Sequence, residues 1–439
     1  MLAAILSIGD ELTTGLTVDA NALWLSAELE RLGFTVMQHR TVADDRPGIA
    51  QAIFELSQQC DVLIATGGLG PTPDDVSREA LGDVVSPGEP LIEDEQALQQ
   101  LLAWFARHQR SMPEVNRRQV MRPPPTAMIE NTQGTAPGLI AASETSRIFL
   151  LPGVPREMRA MFDRSVRHML PPTTRPGRMV RQVHCQGLGE SSVAERLGAL
   201  LARDHVPQIG TSANESMVTV RIFGVDTQHQ DSPAVEALLS QIESRLHPYA
   251  FARDGASLPA AVGELLRERS LRIAVAESCT GGLLGSMLSV TPGSSAYLLG
   301  GWITYSNDMK AEQLGVSHDT LRMHGAVSAP VVEGMLRGAI DRSGAEVALA
   351  VSGIAGPDGG SDEKPVGTVF IGCGMKESSS SAALDIRRFH FPGPREAVRE
   401  RAARSALQMA RFRLLGVADE TVLLNQVLDS VHHRQGSAG

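Results

Sequence analysis

Asp61-Val62-Leu63-Ile64-Ala65-Thr66-Gly67-Gly68-Leu69-Gly70-Pro71-Thr72-Pro73-Asp74-Asp75 is a short apolar run that empties into glycines and two carboxylates, with a helical pattern resuming at Val76. A buried strand, a Gly-rich turn and a helix in that order form a corner of an open α/β sheet. Backbone N–H groups at such a corner converge on an anion at the carboxyl end of the strand. Outward from it, the same alternation runs from Leu2 to about Leu170. Leu2 to Ile8 predicts a strand; Ala22, Leu25, Leu29 and Leu32 predict a helix over 20–32; Phe34 to Val42 predicts a strand and Ile49 to Leu56 a helix. Arg147 to Leu151 predicts another strand, and Val154 to Met169 a helix with Pro155 in its first turn. Strands alternating with amphipathic helices imply a parallel sheet with helical crossovers, so the expected fold class is α/β.

At the corner itself, Asp74 and Asp75 suit a divalent cation held against a diphosphate, because hard oxygen ligands fit Mg²⁺ or Mn²⁺. Gly9-Asp10-Glu11 ends the first strand on the same sheet edge and offers a further ligand. The competing reading is a plain tight turn with Asp74 as helix N-cap.

A chain of 439 residues implies two to four domains at ~100–200 residues each. With 42% hydrophobic and 21% charged residues, wholesale disorder is excluded. A net charge of −10 and only 4% aromatic residues argue against nucleic acid as a partner, because phosphate is repelled and stacking platforms are scarce. Cys60, Cys185, Cys279 and Cys373 lie far apart with no C-x-x-C pair, which indicates neither a zinc knuckle nor a disulfide framework and implies a reducing compartment. Met1 to Ile8 lacks a basic flank and reads as a strand rather than a signal peptide; no apolar run reaches the ~18 residues of a membrane span. A cytoplasmic location without membrane contact is expected.

Pro171-Pro172-Thr173-Thr174-Arg175-Pro176-Gly177 has linker composition and marks the end of a first domain, 1–170. A small α+β module over 171–253 is expected from a strand at Met179 to Cys185, a helix at Ser191 to Leu201, two strands around Ser216 to Phe223 and a helix at Val235 to His247. A third domain, 254–416, opens with a helix at Ser257 to Arg269 and closes with one at Arg395 to Leu415. The tail 417–439 is expected to fray.

In the third domain, an apolar strand at Leu271 to Ala276 runs into Glu277-Ser278-Cys279-Thr280-Gly281-Gly282 and then an apolar helix, Leu283 to Leu288. Ser278 on that corner has the helix N-terminal N–H groups nearby for an oxyanion, and needs a base. The histidines His318, His324 and His390 lie in no triad context, whereas Tyr305-Ser306-Asn307-Asp308-Met309-Lys310 ends an apolar strand with a lysine. A lysine desolvated there has a lowered pKa and can take the serine proton, giving a Ser-Lys dyad. The bland readings are an N-cap for Ser278 and a solvated surface cation for Lys310. Cys279 is a rival nucleophile, ranked below Ser278 because no imidazole adjoins it. A second Gly-rich loop, Ser352 to Gly360, follows a strand at Val347 to Val351 and suits substrate oxygens or phosphate.

Ile8-Gly9-Asp10-Glu11-Leu12, Asp19-Ala20-Asn21, the Thr66 to Asp75 run, Asn131-Thr132-Gln133-Gly134-Thr135-Ala136-Pro137-Gly138 and Leu151-Pro152-Gly153-Val154-Pro155-Arg156-Glu157-Met158 together resemble the competence/damage-inducible CinA family. The resemblance covers nearly the whole chain except the tail. It implies a molybdopterin-binding-like first domain, which in some members hydrolyses ADP-ribose with a metal ion. Carried over, Gly67, Gly68, Gly70 and Thr72 would cradle phosphate, Asp10 and Asp74 would hold nucleotide, and Asp75 would hold the divalent metal. Ala20 stands where the family often has Thr.

Ala276-Glu277-Ser278-Cys279-Thr280-Gly281-Gly282-Leu283, Tyr305-Ser306-Asn307, Lys310, Gly325-Ala326-Val327-Ser328 and Gly353-Ile354-Ala355-Gly356-Pro357-Asp358-Gly359-Gly360 resemble the nicotinamide-nucleotide amidase domain of that family. The resemblance implies deamidation of nicotinamide mononucleotide to nicotinate mononucleotide and ammonia, with Ser278 as nucleophile, Lys310 as base and Tyr305 assisting. It also implies that Thr280, Gly281, Gly282, Asn307, Ser352, Gly353, Gly356, Arg395 and Arg399 bind substrate, without a cofactor. Ser352 replaces a common Thr. Pro394 stands where an acidic residue usually precedes the first Arg, so Arg395 and Arg399, one turn apart, both remain candidates for the 5′-phosphate. A homodimer is expected. The readings from other classes are a non-enzymatic protein partner in competence or recombination, and a molybdopterin-binding protein.

Overall fold

The computed structural model describes residues 1–214, 217–378 and 381–428. The chain forms two compact units: Met1–Met179 with Val225–Gln230, and Val180–Gly224 with the chain from Asp231 onward. The boundary expected at 254 therefore does not separate two compact bodies.

The first unit is built from β1 (Leu2–Ile8), α1 (Asp10–Thr13), α2 (Ala20–Arg31), β2 (Thr35–Val42), α3 (Arg46–Ser57), β3 (Val62–Thr66) and α4 (Ser77–Val85). It continues through β4 (Ile92–Glu93), α5 (Glu95–Arg107), β5 (Met121–Arg122), β6 (Ala127–Ile129), β7 (Gly138–Ala142), β8 (Arg147–Leu151), α6 (Pro155–Met161) and α7 (Arg167–Met169). The last two are bridged by a π turn over Phe162–Val166, so the single helix expected over 154–169 carries one widened turn. Six strands form one sheet in the order β2-β1-β3-β8-β7-β6. β2, β1, β3 and β8 are parallel, β7 runs antiparallel to β8, and β6 runs antiparallel to β7. Alternate residues of β1 feed different cores. Ala4, Leu6 and Ile8 meet Ile49, Ile53 and Leu56 of α3, while Ala3 and Ile5 meet Leu25 and Leu29 of α2 and Phe162. A strand buried on both faces is apolar on both, which is why Leu2 to Ile8, interrupted only by buried Ser7, reads as a run rather than an alternation. Asp19 and Asp45 cap α2 and α3, accepting from Ala22 N and Gly48 N at 2.9 Å each.

The second unit begins with β9 (Arg178–Gln186), α8 (Glu190–Leu197), β10 (Ile209–Asn214), β11 (Met217–Asp226), α9 (Pro233–Leu246) and β12 (Ala250–Arg253), with a sheet order β10-β11-β9-β12. Ser216, where two strands were expected to begin, lies outside the described residues. Next come α10 (Leu258–Glu268), β13 (Ile273–Glu277), α11 (Leu283–Ser289), β14 (Leu298–Ile303), α12 (Asn307–Leu314), α13 (His318–His324), α14 (Ala329–Ser343), β15 (Val347–Gly353), β16 (Thr368–Lys376), β17 (Ala382–His390) and α15 (Arg395–Leu415). Their sheet runs β14-β13-β15-β16-β17, with β13 parallel to both neighbours, β16 antiparallel to β15 and β17 antiparallel to β16. Val331, Met335 and Leu336 of α14 cover one face against Ala276, Ala348 and Ala350. The helix α15 packs on β15, β16, α10 and α11.

The frayed tail expected over 417–439 is corrected for its first twelve residues. Buried Arg387 on β17 donates to Ala418 O at 2.7 Å, Thr421 O at 2.8 Å and Gln426 Oε1 at 3.2 Å. Leu424 N donates to Gly187 O at 2.8 Å and Tyr249 Oη to Val422 O at 2.9 Å, so the segment is a strap held by backbone carbonyls. Residues 429–439, the rest of the expected frayed tail, lie outside the described residues. Among the described residues no helix is long and apolar enough to cross a membrane.

Candidate active site

In the second unit, β13 is buried along its whole length and delivers Ser278 to the carboxyl edge of the sheet, where Ser278 N donates to Val351 O at 3.0 Å. Across that edge, Ser306 caps α12 by accepting from Met309 N at 3.2 Å, and the first turn of α12 places Lys310 inward. Lys310 is 1% exposed. Its Nζ lies 3.0 Å from Ser278 Oγ, 2.8 Å from Thr304 O and 3.4 Å from Tyr305 O. Three oxygens and, among the described residues, no carboxylate surround the amine, and burial pushes its pKa below the ordinary 10.5. A neutral amine would donate to the two carbonyls and turn its lone pair to the serine hydroxyl. Neither bland reading survives: Lys310 is buried, and α11 is capped at Gly282, four residues beyond Ser278.

The free helix N–H groups expected beside Ser278 are spent elsewhere. The buried carboxylate of Glu277 accepts from Gly282 N at 3.0 Å, Leu284 N at 3.1 Å and Gly285 N at 2.8 Å. Cys279 is also buried, and its thiol is pushed up to about 12, which disfavours a thiolate and keeps it below Ser278 as nucleophile.

Tyr305, Asn307 and Arg395 are exposed around this edge. Arg395 Nη2 donates to Tyr305 Oη at 2.8 Å and Nη1 to Gly356 O at 2.8 Å, joining α15 to the second glycine loop. Gly356 has φ +84°, and a Cβ there would approach Val366 Cγ1 to 2.6 Å; only glycine permits this turn. Gly281 and Gly282 also have positive φ and carry the turn from Thr280 into α11. Gly353 ends β15. The Ser352 hydroxyl donates to Ala326 O at 2.7 Å and thereby ties Gly325-Ala326-Val327-Ser328 to β15. Arg399, one turn after Arg395, donates both Nη2 (2.8 Å) and Nε (3.3 Å) to Thr280 O. The two arginines that the sequence left equivalent therefore touch different things.

In the first unit, Gly67 and Gly68 have positive φ, and a Cβ would collide with Ile8 O or Ser77 Oγ respectively. Asp75 closes the loop: Oδ1 accepts from Gly70 N at 2.7 Å and Oδ2 from Thr72 N at 2.8 Å and from Thr72 Oγ1. Two arginines that the sequence reading missed brace the same loop. Buried Arg78 donates to Leu69 O and Gly70 O, and Arg118 donates to Thr72 O, Asp75 O and Glu79 Oε1. Desolvation lowers the Arg78 pKa to about 10. Asp10 and Asp44 bond reciprocally, backbone N to carboxylate, at 3.0 and 3.2 Å. Burial raises the Asp44 pKa, the Asp10 N–H opposes it, and the charges of Asp10, Glu11 and Asp74 add to the rise. Asn21 donates to Gly153 O at 2.8 Å and keeps a buried Oδ1 without a partner.

Two expected roles change here. Thr72 was expected to cradle phosphate, but its N–H and hydroxyl are both spent on Asp75. Asp75, the expected metal ligand, uses both oxygens as a loop clasp, and among the described residues no three His, Cys, Asp or Glu side chains converge as a ligand set. The residues present do not fit the metal site as expected.

Residues 255–414 match the family model of the CinA C-terminal domain, and residues 180–252 that of the damage-inducible protein CinA KH domain. Residues 4–172 match a model described as "Probable molybdopterin binding domain". A provisionally named competence-damage inducible protein of Symbiobacterium thermophilum is 41% identical over 428 residues, which is 95% of this chain and 100% of that one. The chain belongs to the CinA family. A CinA-like protein of Geobacter metallireducens is 38% identical over 421 residues, 94% of this chain and 100% of the relative. The crystal structure of a CinA superfamily protein from Klebsiella pneumoniae is 35% identical and covers 36% of this chain and 96% of that chain, with a TM-score of 0.34. The CinA architecture is thus a molybdopterin-binding-like first domain, a KH-like middle module and a CinA C-terminal domain, in a mixed α/β fold.

Proposed function

We propose that the C-terminal domain is a nicotinamide-nucleotide amidase that converts nicotinamide mononucleotide to nicotinate mononucleotide and ammonia. The observation that carries this reading is Lys310: a lysine 1% exposed, without a carboxylate, 3.0 Å from a serine hydroxyl at the end of a buried strand. Burying an amine costs stability, and strongly perturbed basicity of this kind clusters at functional sites. Neutral Lys310 takes the Ser278 proton as Oγ bonds to the carboxamide carbon. The resulting ammonium then protonates the leaving nitrogen as the C–N bond breaks, and water attacks the acyl-serine by the same route. Arg395, exposed and spanning Tyr305 and Gly356, is the arginine proposed to pair with the 5′-phosphate. The purified chain incubated with nicotinamide mononucleotide should release ammonia, and Ser278→Ala should not. Ammonia release by Ser278→Ala at the wild-type rate would overturn the assignment.

For the first domain, the glycine corner held open by Arg78, Arg118 and Asp75 supports binding of a diphosphate-bearing nucleotide of the ADP-ribose kind. Cleavage of that nucleotide has no ligand set behind it among the described residues, and no step is assigned. Parallel incubation with ADP-ribose, with and without Mn²⁺, tests it by product chromatography. Nucleic acid is not proposed as a partner: the KH-like module has glycines at 187, 189, 198, 210 and 224, and none makes the G-x-x-G that clamps a nucleotide backbone. A chain that hydrolyses neither substrate would leave the reading as a protein partner in competence.

A further inference from the structure

We propose that Thr280 supplies the oxyanion donor of the amidase and that Arg399 is the positioning residue that aims it, rather than a ligand of the substrate phosphate. The proposal rests on the amidase reading above and assigns roles within the same site.

The donors around Ser278 can be counted out. Ser278 N–H is spent on Val351 O, Gly281 N–H on Ser278 O and Leu283 N–H on Thr280 O. Those of Gly282, Leu284 and Gly285 are held by Glu277. Among the described residues no backbone acceptor faces the peptide N–H of Thr280, and that of Cys279 meets only its own thiol. Thr280 is 0% exposed, and its Oγ1 is a buried hydroxyl without any hydrogen-bond partner. Buried hydroxyls are nearly always bonded, and one left open two residues from a nucleophile is a donor awaiting an acceptor. The acceptor that arises there is the carboxamide oxygen, which takes the electron pair of the C=O π bond when Ser278 Oγ attacks.

Arg399 fits this role through its contacts. It is half-buried, and its fork grips the Thr280 carbonyl through two nitrogens, which fixes the Thr280 peptide on the side away from the incoming oxygen. A Cβ on Gly281 would lie 3.6 Å from Arg399 Nη2, so the guanidinium sits directly against the turn. Arg395 is exposed and grips nothing in this turn.

The test is steady-state kinetics with nicotinamide mononucleotide on the full chain, with folding checked by circular dichroism. Thr280→Val keeps the shape and removes only the hydroxyl; kcat should fall about 10²-fold with KM unchanged within twofold. Thr280→Ser should recover most of that loss. Arg399→Gln should lower kcat with KM unchanged, Arg399→Lys should recover part of it, and Arg395→Gln should instead raise KM. Arg399→Gln carries the same test if Thr280→Val does not fold. With Ser278→Ala inactive, a Thr280→Val kcat within threefold of wild type overturns the proposal and leaves the amidase standing. A rise in KM alone in Thr280→Val or Arg399→Gln also overturns it, by marking a ground-state contact. An active Ser278→Ala removes the amidase reading and this proposal with it.

Discussion

Replacing Lys310 by methionine separates the chemistry of the site from its stability. The side chains are similar in length, and the position is 1% exposed, so methionine fills the space and removes only the amine. Loss of a general base in hydrogen-bond reach of the nucleophile costs about 10²–10⁴ in rate. The stability change is small by comparison, because two effects oppose. Thr304 O, itself buried, loses its 2.8 Å donor, at about 1–3 kcal/mol. Against this, the native state no longer holds a desolvated amine. The sign follows from Lys310 having a folded pKa below its unfolded value. Between those two pKa values the unfolded chain binds more protons, so wild-type stability rises with pH across that window and is lost as pH falls through it. Lys310→Met should lack that slope and gain on wild type toward low pH. Wild-type kcat/KM should climb with pH as Lys310 deprotonates below 10.5, and the residual rate of the variant should be flat. Ammonia release between pH 6 and 9, with urea unfolding at the same pH values, reads both. A variant retaining more than a tenth of wild-type kcat, or a wild-type rate that falls as pH rises, would refute Lys310 as the base.

Glu277→Gln leaves one acceptor oxygen for three N–H donors at the start of α11, and should destabilise the chain by about 2–3 kcal/mol in urea unfolding; a loss under about 0.5 kcal/mol would show that the carboxylate does not hold the turn. Cys279→Ala should release ammonia within twofold of wild type, and iodoacetamide at pH 8 should not inactivate the wild-type enzyme, because burial holds the thiol near 12.

The parts of the fold that the sequence makes legible are those where one chemical demand acts along the chain. The strands at Leu2 to Ile8 and Asp61 to Thr66 are mostly apolar because nearly every position is buried, and the expected bounds fall within a residue of those observed. The helix Arg395–Leu415 was bounded by Pro394 before it and Gly416 after it. Ser278 and Lys310 were named through the resemblance of the motifs around them, since spacing alone favoured a helix cap and a solvated cation, and their 3.0 Å separation is what only the fold supplies. What escaped depends on partners distant in sequence. Nothing local tells Glu277, holding three N–H groups, from an exposed carboxylate at a strand end. Arg118 meets the loop at Thr72 across 46 residues, so no spacing rule points to it. The strap was missed because nothing local pairs Ala418 and Thr421 with Arg387 on β17, which takes both of their carbonyls.

That strap bears on how the second unit opens. Arg411 on α15 donates to Pro248 O and Ala250 O of the KH-like module, and burial lowers its pKa to about 10. Tyr249 reaches the strap, and Leu423 lies where a Cβ on Gly187 would stand. Family boundaries cut this region into two pieces, but a guanidinium and a tyrosine hydroxyl whose partners lie across that cut make the pieces one cooperative body. Amides of β9 and of β17 should therefore exchange with solvent through a shared opening rather than separately. A substitution in the KH-like module would then be felt as lifetime of the amidase fold, although it touches no residue of the Ser278 site.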